Sequence, residues 1–144
     1  MSNCFYCEQG KTLEDLMIPV CELEHTLVYL VKNQNYPGRS VVLYKQHIHE
    51  IFELSEVERC GYFNELSQVA KALSELYNAD KINYGIFGDM VPHLHCHVAP
   101  KCKDSYGWGA PFAPSGNDTF PPIEELEQTA EAIRKKLGVS KEEA

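Results

Sequence analysis

Three histidines separated by single residues, His93, His95 and His97, stand between Pro92 and Pro100. A period of two is the period of a β-strand, whose successive side chains point to opposite faces and recur about every 6 to 7 Å along one face. The pattern therefore predicts a strand over 93–100 with the three imidazoles in one row and Leu94, Cys96 and Val98 turned to the other side. A solvated strand face gains nothing from such a row that Thr or Lys would not supply better. Each imidazole near neutral pH can act as a nucleophile, a proton donor or a metal ligand, so the row reads as chemistry.

The rest of the chain supplies a frame for that strand. Residues 17–22 and 26–32 are short runs rich in Val, Leu and Tyr, split by Glu24 and His25, and read as two strands and a turn. The turn cluster 33–38 is followed by a third strand over 40–44. Ser55 with Glu58 three residues on forms a capping box, after which Val57, Cys60, Phe63, Leu66, Val69 or Ala70, Leu73 and Leu76 recur at helical spacing, predicting one amphipathic helix to about Tyr77. Residues 78–80 stop it. A strand over 81–87 leads through Gly88 and Asp89 to the histidine strand, and residues 101–122 read as a loop holding Trp108. Pro121 and Pro122 open a last helix with Ile123, Leu126, Ala130, Ile133 and Leu137 on one stripe, Glu124, Glu125 and Glu127 at its positive end, and Gly138 as its stop. The order implies an α+β fold: about five antiparallel strands, one long helix and a C-terminal helix. Residues 1–138 read as a single domain and 139–144 as a frayed tail.

Composition narrows the partners. With 144 residues, 44% of them hydrophobic, the chain fits one compact core. A formal charge of -8 argues against a nucleic-acid surface or an anionic membrane, so an anionic ligand has to be held by a local constellation. The first ten residues lack a basic and apolar leader, and no run is long enough to span a bilayer, which predicts a cytoplasmic protein. In a reducing compartment the six cysteines read as thiols or metal ligands.

Two chemistries compete for the histidines. A neutral imidazole can attack phosphorus to form a phosphoramidate, while a neighbouring imidazole manages charge on the phosphate or protonates the leaving group. Alternatively, imidazoles at i and i+2 hold a transition metal. Cys4 and Cys7 form a C-x2-C pair, and His47 and His49 lie elsewhere in the chain; two thiolates with two distant histidines would complete a closed tetrahedral zinc site.

The run from His93 to Ala99 resembles the histidine triad (HIT) pattern, and the similarity extends to Pro37-Gly38, to Lys45-Gln46-His47, to Phe52-Glu53-Leu54-Ser55 and to Asn83-Tyr84-Gly85. It covers roughly residues 4–101 and points to the zinc-containing, bacterial-type branch. The resemblance implies nucleotide hydrolase or transferase chemistry and a homodimer paired through the long helix and an adjoining strand into a ten-stranded sheet. It implies that His95 becomes nucleotidylated at the α-phosphorus and that His97 contacts the phosphate and leaving group. Asn83 takes the place of a phosphate-binding amide, and the 33–39 loop, with Asn33 and Arg39, cradles a purine nucleotide. Cys4, Cys7, His47 and His93 map onto a structural zinc site, with no catalytic metal expected.

Two departures qualify the match. Many members carry Gly-Gln-Ser/Thr-Val ahead of the triad where this chain has Gly88-Asp89-Met90-Val91, so a hydroxyl near the leaving group is absent. Pro-Gly-His is replaced by Pro37-Gly38-Arg39, a permanent cation. The leading expectation is a hydrolase of adenosine phosphoramidates, adenylated small molecules or dinucleoside polyphosphates. A nucleotidyltransferase and a nucleotide-binding regulatory protein with little turnover stand as alternatives, and a metal-dependent hydrolase as a third. His25 and His49 read as turn or surface residues, Cys96 as core, and Cys21, Cys60 and Cys102 as structural. Trp108 either lines a partner's pocket or anchors its own loop.

Overall fold

A computed structural model describes residues 4–141. Its centre is a five-stranded antiparallel sheet in the order β1-β2-β3-β5-β4, built from β1 (Met17–Glu22), β2 (Thr26–Val31), β3 (Ser40–Tyr44), β4 (Lys81–Gly85) and β5 (His95–Lys101). Two short helices, α1 (Phe5–Glu8) and α2 (Lys11–Leu16), precede the sheet. The long helix α3 (Glu56–Tyr77) joins β3 to β4, and α4 (Ile123–Leu137) closes the fold. Pro19 lies in β1, an edge strand, beside a register shift between Pro19 and Cys21, where its missing N–H costs no central ladder bond. Among the described residues no helix is long and apolar enough to cross a membrane.

Alternation along the strands sorts the sheet into two faces. Val28, Leu30, Val42, Cys96, Val98 and Ile82 pack under α3 and α4 in the main core. Tyr29, Val31, Val41 and Leu43 point the other way, where Cys4, Tyr6 and Leu13 of the N-terminal segment cover them. Each fully buried Val or Leu contributes roughly 1.5–3 kcal/mol of transfer free energy. The histidines of β5 lie on this second face, opposite Val41 and Leu43.

Helix α3 begins as expected. The Ser55 hydroxyl accepts from the Glu58 N–H at 3.2 Å, the Glu58 carboxylate accepts from the Ser55 N–H at 2.8 Å, and Asn78 ends the helix at φ 47°. Its buried stripe differs from the expected one in the first half. Tyr62 is fully buried, whereas Val57, Cys60 and Phe63 are exposed. The Tyr62 hydroxyl donates to the Val42 carbonyl at 2.9 Å, which satisfies its one polar group inside the core and lets the larger ring take the position. Glu65, also buried, accepts from the His25 N–H at 3.0 and 3.1 Å and from the Thr26 hydroxyl at 2.7 Å, clamping the β1–β2 turn to the helix. In α4 the buried stripe is Leu126, Ala130 and Ile133, while Ile123 is exposed. Val139 packs against the core, and residues 142–144 of the expected tail lie outside the described residues.

The histidine strand starts two residues later than its period predicts. β4 ends at Gly85, opposite His97, and ahead of β5 the chain bends, with the His93 N–H bonded to the Val91 carbonyl at 2.8 Å and the Leu94 N–H to the Ile48 carbonyl at 2.8 Å. His93 therefore leaves the row. Only His95 and His97 share a strand face.

Candidate active site and metal centre

Ladder register places the two strand histidines. His97 pairs with Val41 of β3 and Gly85 of β4, and His95 pairs with Leu43. Both open onto a cavity of about 520 Å³ that is also lined by Phe5, Tyr6, Arg39, Phe87, Met90 and Phe112 among others. A Cβ at Gly85 would come within 2.5 Å of the Phe87 ring, so the glycine is what lets Phe87 fold back beside His97. Phe112 stacks on His97 with centroids 5.3 Å apart, and the Arg39 guanidinium lies 5.0 Å from the Phe112 centroid.

The tautomer of His95 follows from its partner. Its Nδ1 is 2.5 Å from the His93 carbonyl oxygen, which can only accept, so Nδ1 carries the proton and the lone pair is on Nε2. Burial pushes the His95 pKa below its ordinary value, keeping the ring neutral near pH 7. His97 is pushed down to about 3 by burial and then by the nearby His95 and Arg39. Its Nδ1 and the Arg39 Nε are the two buried side-chain nitrogen or oxygen atoms without a hydrogen-bond partner among the described residues. Both belong to residues of the same cavity. Buried donors and acceptors are nearly always paired in folded proteins, so two orphans at one cavity leave this wall able to bind a polar partner.

The low His97 pKa carries a stability consequence. In the window between 6.5 and about 3 the unfolded chain binds a proton there that the folded chain does not, so the contribution is complete above 6.5 and lost as pH falls. Chemical denaturation of ligand-free protein at pH 7 and pH 4.5 is expected to show His97→Asn losing about 2 kcal/mol less than wild type on acidification. Equal losses would mean that His97 is not held neutral.

His93 turns to a different group of side chains. Its Nε2 donates to the Tyr44 carbonyl at 2.7 Å, which leaves the lone pair on Nδ1. That atom lies 3.4 Å from the Cys4 sulfur, 3.5 Å from the Cys7 sulfur and 3.2 Å from the His47 Nδ1, while His47 Nδ1 is 3.3 Å from the Cys7 sulfur. All four donor atoms fall within 4.8 Å of one another. Metal–sulfur and metal–nitrogen bonds of about 2.3 and 2.0 Å at tetrahedral angles give ligand-to-ligand edges of roughly 3.3 to 3.8 Å, so the four residues fit one ion. Cys4, Cys7, His47 and His93 could hold a metal. Burial lowers the His93 pKa, which favours the neutral form that a ligand needs.

The expected substrate residues divide. Arg39, 5% exposed, lines the cavity and also ties the 33–38 turn to the 101–122 loop, donating to the Asn35 Oδ1 at 3.0 Å and the Pro114 carbonyl at 2.9 Å. Asn33 does not line it: its amide donates to Asp118 at 3.0 Å and accepts from the Thr119 N–H at 3.0 Å. Asn83 is on the histidine face of β4 but opposite Ala99, in a shallow depression with Lys101 and Trp108. His49 is exposed, His25 sits in the β1–β2 turn, and Cys96 is fully buried in the core. Phe5, Tyr6, Phe87 and Phe112 escaped the sequence reading. A pair of aromatics between the two cysteines was the available signal for the first two; Phe112 had none, because no periodicity governs its loop.

Fold and sites together define a small α+β protein that presents two imidazoles from a central strand to a cavity and gathers a third into a thiol-rich cluster. A HIT domain family model matches residues 17–104, and the chain belongs to the HIT family. It is 27% identical over 150 aligned residues to the protein named hit from Bacillus subtilis, covering 96% of this chain and 97% of that one. It is 27% identical over 137 residues to adenosine 5'-monophosphoramidase hnt1 from Schizosaccharomyces pombe, covering 94% and 98%. A crystal structure of the histidine triad protein blr8122 from Bradyrhizobium japonicum superposes with a TM-score of 0.80 at 26% identity, covering 89% of this chain and 96% of that one.

Proposed function

We propose that the protein hydrolyses nucleoside 5'-monophosphate derivatives, adenosine phosphoramidates or dinucleoside polyphosphates, through a nucleotidyl intermediate on His95. The observation that carries this reading is the locked tautomer of His95, whose Nε2 holds a lone pair beside a cavity with two unpartnered polar atoms. The likeness to an adenosine 5'-monophosphoramidase supports the substrate class.

In the first step Nε2 of His95 attacks the α-phosphorus, a P–N bond to His95 forms, and the bond to the leaving group breaks. Arg39 and His97 take phosphate oxygens. The charge of the bound phosphate raises the His97 pKa, and the proton it then holds passes to the leaving amine or oxygen. In the second step water attacks the same phosphorus while His97, left neutral by the first step, takes its proton; the P–N bond to His95 breaks, and the nucleoside monophosphate leaves. Cys4, Cys7, His47 and His93 hold a structural zinc, the ion that a closed set of two thiolates and two imidazoles suits best. Incubation with an adenosine phosphoramidate and with a diadenosine polyphosphate, followed by quenching in base, is expected to yield one nucleotidyl adduct by mass spectrometry. Absence of turnover with both substrates overturns the reading, and tight nucleotide binding without turnover would favour the regulatory alternative, consistent with Met90 standing 90% exposed where a hydroxyl is common.

The protein acts as a homodimer in this reading. β4 is an edge strand, and beside it Phe63, Leu66, Ser67, Tyr84 and Ile86 line an apolar depression of about 300 Å³. An open edge next to exposed aromatics needs a cover. Light scattering is expected to give the mass of two chains for wild type and of one for Phe63→Glu; a monomeric wild type would overturn the assignment.

A further inference from the structure

The cavity wall nearest His95 is built from the residues between the two cysteines. Cys4 and Cys7 send their sulfurs to the histidine cluster, while Phe5 and Tyr6 line the cavity. Tyr6 is 3% exposed, and its ring centroid lies 5.1 Å from that of His95 and 5.8 Å from that of His93. The segment that carries it has little stability of its own. α1 is four residues long, the Cys4 that precedes it makes no side-chain cap, and its backbone is closed by bonds from the Glu8 N–H to the Cys4 carbonyl and from the Gln9 N–H to the Phe5 carbonyl, each 3.0 Å. One helical turn does not persist in water without tertiary anchorage. Here the anchors are the packing of Tyr6 in the second core beside Tyr29 and the flanking sulfurs in the histidine cluster.

We infer that Tyr6 is a positioning residue through which the metal cluster governs the His95 cavity: ion binding at Cys4 and Cys7 seats the α1 turn, and the seated turn presses the Tyr6 ring against His95. Metal occupancy then sets how well the wall excludes water from His95 and how tightly the cavity holds a nucleotide. The nucleotide part rests on the function proposed above; the shielding of His95 does not. A ring is needed for this, and its hydroxyl is not, because the contact to His95 is ring to ring.

The test compares zinc-loaded and chelator-stripped protein, wild type, Tyr6→Phe and Tyr6→Ala, with circular dichroism to follow folding. Modification of His95 by diethylpyrocarbonate, read by peptide mass spectrometry with His25 as internal control, is expected to rise several-fold when zinc is removed from wild type or Tyr6→Phe. Zinc-loaded Tyr6→Ala is expected to show the raised reactivity already, at unaltered zinc affinity, and to change no further on stripping. Calorimetry with adenosine monophosphate is expected to follow the same pattern, with affinity about tenfold weaker wherever His95 is unshielded. Failure to bind adenosine monophosphate with the reactivity pattern intact would sink the nucleotide reading and support the coupling. Low His95 reactivity in zinc-loaded Tyr6→Ala would overturn the coupling, and this comparison stands even if stripped protein unfolds. Reactivity in folded wild type that ignores zinc would overturn it as well.

Discussion

Replacing His95 by Asn is expected to lower kcat by on the order of 10⁴-fold or more, because in the proposed reaction the variant loses the nucleophile rather than a helper. The substitution suits the site sterically. An Asn amide nitrogen stands near where Nδ1 stood and can still donate to the His93 carbonyl, so fold and nucleotide affinity are expected to persist while the base-stable adduct disappears. Such a loss corresponds to about 5.5 kcal/mol of transition-state stabilisation, far beyond what one positioning hydrogen bond supplies. Steady-state release of nucleoside monophosphate and the quenched adduct measure the two quantities independently. Turnover unchanged in His95→Asn would remove His95 from the reaction.

Removing the proposed zinc is expected to affect stability more than chemistry. A structural ion that binds only the folded chain stabilises it in proportion to its occupancy, and loss of a few kcal/mol lowers the melting temperature of a domain this size by about 10 °C or more. Scanning calorimetry of zinc-loaded wild type, chelator-treated wild type and Cys7→Ser is expected to place the last two together, well below the first. Turnover in the fraction that remains folded is expected to fall far less than in His95→Asn. A loss as complete as that variant's, in folded protein, would put the metal in the reaction itself.

Strand period, capping box and cysteine spacing made most of this fold legible in the sequence. The first three strands, the long helix and its stops lie where alternation and turn residues place them, because each signal there is local, while β4 and β5 each give up two residues at the bend between them. What eluded the pattern depended on contacts between distant segments. Tyr62 displaced Phe63 from the core because a carbonyl of β3 was waiting for its hydroxyl, a fact no helical wheel contains. His93 left the histidine row because Tyr44 and the two cysteines offered its ring better partners than a strand face. Arg39 and the two strand histidines were readable by residue type. Phe112, brought from a loop with no period, was not.

The bend at His93 has an evolutionary reading. One residue contributes to two sites with different parts of itself: its ring joins the cysteines, and its backbone oxygen orients His95. Only the first contribution depends on which amino acid stands there. A descendant of this chain could exchange His93, Cys4 and Cys7 for other residues and still keep the proton of His95 on the correct nitrogen, because every amino acid carries a carbonyl. The ring's place in the cysteine cluster is the mutable half of this residue, and orientation of His95 is the half that the backbone supplies.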